Sequence, residues 1–193
     1  MKLLLSFALL LLLVHTSFGA ETKVQYRLTG LFQPDRVDDL RKQAGTLIFR
    51  DTDVPAEVKL AEVNFDTAVV TFAYDADSKQ FKDKKPEQVQ ERINDQLRNI
   101  SRGGFGVTPL SKLKPEQLKQ ERIVVGGLDC KGCAYSAYRA VGTIEGVDRA
   151  VVSYKDGYVA AWIDPEKTNR EALIKALKNA EVDVITPETS EKK

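Results

Sequence analysis

Apolar and polar residues alternate along this chain with two periods, and each change of period marks an element. Arg122 to Val125 is a β-branched run that stops at Gly126 and Gly127, which predicts a strand entering a loop. Ala134, Ala137, Val141 and Ile144 then recur at helical spacing, giving a helix with a small-residue inner face that ends at Gly146. Two β-rich runs, AVVSY and YVAAWI, flank Lys155, Asp156 and Gly157; an Asp-Gly pair between such runs is a hairpin turn, because glycine accepts the positive φ it requires. Trp162 is expected in the core of that hairpin. Thr168, with Glu171 three residues on, predicts a capping box for a helix that buries Leu173, Leu177 and Ala180. Val182 to Ile185 closes as a strand. The order is β-α-β-β-α-β, the split βαβ or ferredoxin-like arrangement.

The first half repeats this order more loosely. Lys23 to Leu28 alternates as a strand, Gly30 and Leu31 follow it as Gly127 and Leu128 do later, and Val37, Leu40 and Ala44 mark a short helix. Phe65 and Val69 to Tyr74 supply a hairpin with Asp66 and Thr67 in its turn. Pro86 opens a helix lined by Val89, Ile93, Leu97 and Ile100, and Phe105 to Val107 is the expected last strand. Setting Gly30 over Gly127 gives an offset of 97, which places Gln33 opposite Cys130 and Arg36 opposite Cys133. The fold class is therefore α+β, two ferredoxin-like βαββαβ domains in tandem.

The expected domains are a signal peptide at 1–20, a cysteine-free ferredoxin-like domain at 21–110, a polar linker at 111–120, a second domain at 121–187 and a disordered tail at 188–193. One lysine precedes the apolar run from Leu3 to Leu13, which is too short to cross a bilayer, and small residues follow it at Ser17 and Gly19. The reading is export, to a periplasm or outside the cell, with cleavage after Gly19 or Ala20 and no membrane anchoring afterwards.

Cleavage changes the available chemistry. Of 29 basic residues Lys2 leaves, so 28 face 28 acidic ones, and neither nucleic acid nor anionic membrane is a natural partner. His15 and Met1, the only histidine and methionine, leave as well. Histidine-dependent catalysis is thereby excluded and no paired-carboxylate or Ser/Lys pattern stands out, so the protein is read as a non-enzyme.

Both cysteines lie in GGLDCKGC, at Cys130 and Cys133. Two thiols at this spacing make a metal clamp, a redox dithiol or a small structural disulfide. Their place at the start of a helix favours the thiolate, because unpaired N–H groups and the helix dipole stabilise negative charge there. Structural zinc wants four ligands, and the mature chain has no histidine or third cysteine to complete them. Soft thiolates select Cu(I), and by the same softness Hg(II), at low coordination number; Zn(II) needs carboxylates or a second molecule. A two-coordinate ion is open to attack by a partner's thiol, which suits transfer. Secretion keeps the alternative alive, a thiol-disulfide redox or structural-disulfide module in an interaction protein. Against thioredoxin-like catalysis, no Trp or Pro flanks the pair.

Other candidates are weaker. Asp35, Asp38 and Asp39 are expected to complement a helix dipole, Gly103 to Gly106 to form a tight turn, Tyr135 and Tyr138 to pack, and Lys131 to be solvated.

GLDCKGC, the helix behind it, the hairpin AVVSYKDGYVAAWID and the helix EALIKALKNA together resemble the heavy-metal-associated domain over about residues 121–187. That family includes copper chaperones, the N-terminal modules of copper-transporting P-type ATPases and a periplasmic mercury-binding protein. The resemblance implies Cys130 and Cys133 as metal ligands, and a metal donor or acceptor protein with accessible thiols as partner. Leu128 stands where the family has a methionine packed under the loop. Glu181 and Val182 stand where it often has glycine and an aromatic residue, and where chaperones carry a lysine.

Overall fold

The computed structural model describes residues 21–51 and 53–185. The expected signal peptide and tail lie outside them. Among the described residues, fourteen elements form two sheets, four α-helices and one 3₁₀ turn.

The first sheet is built from β1 (Glu21–Thr29), β2 (Thr46–Phe49), β3 (Ala56–Asn64), β4 (Val69–Asp75) and β5 (Gly106–Thr108), in the order β2-β3-β4-β1-β5 with every neighbour antiparallel. Helices α1 (Arg36–Ala44) and α2 (Pro86–Ile100) belong to it. Alternation decides its faces: Tyr26 and Leu28 on β1, Val58 on β3, and Val70, Phe72 and Tyr74 on β4 join Leu40, Val89, Ile93 and Leu97 in one buried cluster. The hairpin arm expected around Phe65 is in fact the nine-residue β3, and β2 adds an edge strand.

The second sheet has the order β7-β8-β6-β9, from β6 (Lys119–Gly126), β7 (Val147–Ser153), β8 (Tyr158–Ile163) and β9 (Asp183–Val184). With α3 (Lys131–Gly142) and α4 (Arg170–Asn179) its chain order is β-α-β-β-α-β. The strand β6 begins at Lys119, inside the stretch expected to be linker, after a 3₁₀ turn at Pro115–Gln117. Ile123, Val125, Ala134, Ala137, Val141, Val159, Leu173 and Leu177 form the second buried cluster. The Asp156-Gly157 turn forms as expected, with Gly157 at φ +61° and its carbonyl accepting the Val125 N–H at 2.9 Å.

Two local expectations are corrected. Asn169, not Thr168, caps α4: its carboxamide oxygen accepts the Ala172 N–H at 3.0 Å, while Thr168 turns inward and is buried. Asparagine sits one residue closer to the first free N–H groups, and it caps at least as well as threonine. Trp162 is not in the core. On β8 the inward residues are Val159, Ala161 and Ile163, so Trp162 lies half-buried on the opposite face, where the Arg149 guanidinium stacks 3.3 Å from the ring centre.

The two halves are tied together at buried positions. Leu31 joins the first cluster, whereas Phe32, 3% exposed, joins the second. Arg27 on β1 pairs with Asp148 on β7 at 2.7 Å, with both side chains largely buried. Such a pair fixes orientation more than it adds stability, since desolvation offsets much of the attraction.

Candidate metal site

The loop that carries the cysteines is shaped from beneath. Gly127, at φ +68°, turns the chain out of β6, and Leu128, 6% exposed, packs down into the second cluster. Leucine thus fills the space under the loop without a thioether. Asp129 and Cys130 are then exposed, and Cys130 takes the N-cap of α3 in extended conformation.

Its sulfur accepts the Cys133 backbone N–H at 3.0 Å, and its carbonyl accepts the Ala134 N–H at 3.0 Å. A cysteine sulfur here does the work that serine or aspartate oxygen does at most helix starts. Cys133, one turn into the helix, is half-buried against the second cluster. The two residues are joined as a disulfide, with Cα atoms 5.1 Å apart, so both sulfurs lie together at the positive end of α3. The pair stands at the helix start, where the spacing of the sequence puts it. The oxidised state is what the structure adds.

Lys131, between the two cysteines, is not simply solvated. Its ammonium lies 2.8 Å from the Asp35 carboxylate, which holds its pKa above the usual lysine value. Asp35 stands just before α1, so an ion pair joins the starts of the two corresponding helices. Asp38 and Asp39 are engaged nearer home, with Arg41 at 3.5 Å and Arg36 at 3.3 Å.

The face of α3 beside the cysteines is occupied by the first half. Tyr138 Oη accepts the Gly30 N–H at 2.7 Å, and burial pushes the pKa of that phenol up. Tyr135 Oη donates to the Gly103 carbonyl at 3.4 Å. Phe32 lies against both rings, 5.6 Å from Tyr135 and 5.3 Å from Tyr138 between centres, and its carbonyl accepts the Val152 N–H at 2.9 Å. The tyrosines do pack, as expected, but against the other half of the chain. Gly30 has to be glycine: at φ +88°, a Cβ there would sit 2.0 Å from the Gly104 carbonyl oxygen.

At the positions set against the cysteines, Gln33 is 5% exposed and Arg36 fills the loop. Arg36 donates to the carbonyls of Gly30 at 3.1 Å and Gly104 at 3.0 Å and lies 4.1 Å from the centre of the Phe105 ring. This loop offers no thiol. Phe32 and Asp35 were missed as contributors to the site. Their sign in the sequence is the adjacent pair Leu31-Phe32, two large apolar residues in one loop that demand burial on opposite sides.

Among the described residues no three or more His, Cys, Asp and Glu side chains come together as a metal site. Once the disulfide is reduced, the loop would offer two thiolate donors, a set that would suit a soft ion of low coordination number and would not complete a four-ligand zinc site from this chain alone.

No family model and no curated protein matches the chain. Among solved structures it is similar to the CopZ metallochaperone, at 28% identity over 35% of this chain and 100% of that one, with a TM-score of 0.34. It is also similar to oxidized MerP from Ralstonia metallidurans CH34, at 23% identity over 36% of this chain and 97% of that one, with a TM-score of 0.34. A copper binding domain from HMA7, a P-type ATPase, is similar at 20% identity over 35% of this chain and 93% of that one, with a TM-score of 0.33.

Proposed function

We propose that this chain is an exported soft-metal-binding protein, in which reduced Cys130 and Cys133 hold one Cu(I) ion as cargo and pass it by ligand exchange to a partner with accessible thiols. The observation that carries this reading is the placement of both sulfurs at the α3 N-terminus, with the Cys133 N–H already donated to Cys130 sulfur at 3.0 Å. Donated N–H groups and the helix dipole stabilise thiolate over thiol, and two thiolates suffice for Cu(I). The exposure of Cys130 leaves one side of the loop open to an attacking thiol. Export rests on the apolar run and small residues within 1–20. The first half is read as a cysteine-free copy whose loop, filled by Arg36, serves as a dock for α3 and not as a second metal site.

The disulfide supports a second reading, a thiol-disulfide module, and it sets the order of events in the first. Uptake begins with reduction, in which a dithiol donor supplies two electrons and two protons and is itself oxidised to a disulfide. Metal then displaces the protons from the two thiols. The deciding experiment is an anaerobic Cu(I) titration of reduced protein lacking residues 1–20 against a chromophoric chelator. One ion per chain, lost in Cys130→Ser and in Cys133→Ser, is expected. A protein with two free thiols that takes up no copper, yet reduces disulfide substrates in turnover, would replace the metal reading with the redox one.

A further inference from the structure

The outward faces of the two sheets and the segment that links them enclose a cleft of about 390 Å³, whose lining includes none of the residues 126–133 of the cysteine loop. Its walls are Arg27, Val69 and Thr71 from the first sheet and Asp148, Arg149 and Trp162 from the second, with Leu110, Leu113 and Leu118 of the connecting segment over them. This volume is near the lower end for small-molecule sites, and the mixture of apolar wall with a few charged groups is the usual one.

Charge inside the cleft is unevenly spent. Asp148 is committed to Arg27 at 2.7 Å, and Arg27 also donates to the Thr67 carbonyl. Arg149 lies flat on Trp162, 3.3 Å from the ring centre, and among the described residues no carboxylate or carbonyl is within hydrogen-bonding distance of its guanidinium. Burial, and then repulsion by Arg27, hold Arg149 below the ordinary arginine range, while Asp148 and Asp66 act more weakly in the opposite sense. Glu62 also lines the cleft but is exposed to solvent, which screens it. The stacked indole fixes the plane of the guanidinium and leaves its N–H edge free for a planar, two-oxygen acceptor. Leu110, 39% exposed, offers apolar surface in the same cleft.

We propose that this cleft binds a small organic carboxylate with an apolar body, its oxygens on Arg149 and its body between Trp162 and the leucines of the connecting segment. Nothing in this assignment depends on the metal reading. The occupant is small because the cleft is, and anionic because, of the two arginines among the cleft's described residues, Arg27 is held by Asp148 while Arg149 has no acidic partner within bonding distance.

Trp162 is the only tryptophan of the chain, so its fluorescence reads this site alone. The test titrates the full chain lacking residues 1–20 with sodium hexanoate at constant ionic strength, with hexylammonium chloride as the charge-reversed control. A saturable change in Trp162 emission with hexanoate and none with hexylammonium is expected. Arg149→Gln is expected to weaken the midpoint at least tenfold, and Arg149→Lys by less. Leu113→Ser, which leaves both charges in place, is expected to weaken it several-fold. Absence of a saturable hexanoate response, an equal response to hexylammonium, or an unchanged midpoint in a folded Arg149→Gln protein would overturn the proposal. Should Arg149→Gln fail to fold, an unchanged midpoint in Leu113→Ser overturns it instead.

Discussion

Lys131, which stands between the two cysteines, gives its ammonium to Asp35 at 2.8 Å, across the boundary between the halves of the chain. The pair is exposed, so its energetic weight is small, but it sets where the nearest positive charge to the sulfurs is directed. Asp35→Ala removes a negative charge from the neighbourhood and frees the lysine. Both changes favour an anionic bis-thiolate complex. A few-fold tighter Cu(I) affinity at low salt is expected, with the gain vanishing as salt is raised, read by competition with a chelator. Lys131→Ala is expected to move affinity the other way.

Phe32 ties the halves together energetically. Its ring is buried among residues of the second cluster while its backbone belongs to the first half. Phe32→Ala is expected to cost about 3–4 kcal/mol, in the usual range for truncating a buried aromatic ring. Denaturant unfolding followed both by far-UV circular dichroism and by Trp162 fluorescence checks it. In the variant the two probes are expected to separate, as the halves begin to unfold independently. Loss of stability with the probes still coincident would assign Phe32 to one half only.

Glu181 ends α4 at φ +59°, a left-handed conformation that costs a residue with a side chain and costs glycine almost nothing. Glu181→Gly is expected to raise stability by about 0.5–1 kcal/mol, net of the greater freedom glycine gains in the unfolded chain. Thermal or urea unfolding at neutral pH measures it. A neutral or lower stability would mean that the carboxylate contributes something its conformation conceals.

Glu121 gives the protein part of its acid sensitivity. Hydrogen bonds from Lys119, 2.7 Å away, and then Arg170, at 3.1 Å, hold this carboxyl below its ordinary value of 4.5 despite burial. A pKa lower in the folded than in the unfolded state stabilises above the unfolded value and ceases to do so as pH falls through the folded one. Glu121→Gln is therefore expected to cost about 1–2 kcal/mol at neutral pH, where a buried charged partner is lost, and little in acid below both values. Urea midpoints from pH 7 downward test this: the two curves should converge on acidification.

Much of the second half was legible in its residues because each element there carries its own punctuation. Asp156-Gly157 marks the turn, Gly126-Gly127 ends the strand, and the Ala134, Ala137 and Val141 spacing sets the helix face. The first half was harder. The strands β2 and β3 lie between Gly45 and Asn64, where AEVKLAEVN alternates but mixes three charged residues into the run, so only their burial in the folded sheet identifies them. Trp162 shows a different limit. Strict alternation on β8 defines two faces without saying which one is inward, and the small residues Ala161 and Val159 took the core while the tryptophan faced the other half. The bonds of Asp35, Phe32 and Tyr138 join residues more than 90 positions apart, and periodicity speaks only of each element alone.

The central claim is that two sulfurs of one chain hold one soft ion, and X-ray absorption at the copper edge of the reduced, Cu(I)-loaded protein tests it most directly. Two sulfur ligands per copper at one copper per chain, with all sulfur scattering lost in Cys130→Ser/Cys133→Ser, is the expected result. A shell of oxygen or nitrogen, or three sulfurs that require a second molecule to supply the third, would contradict it.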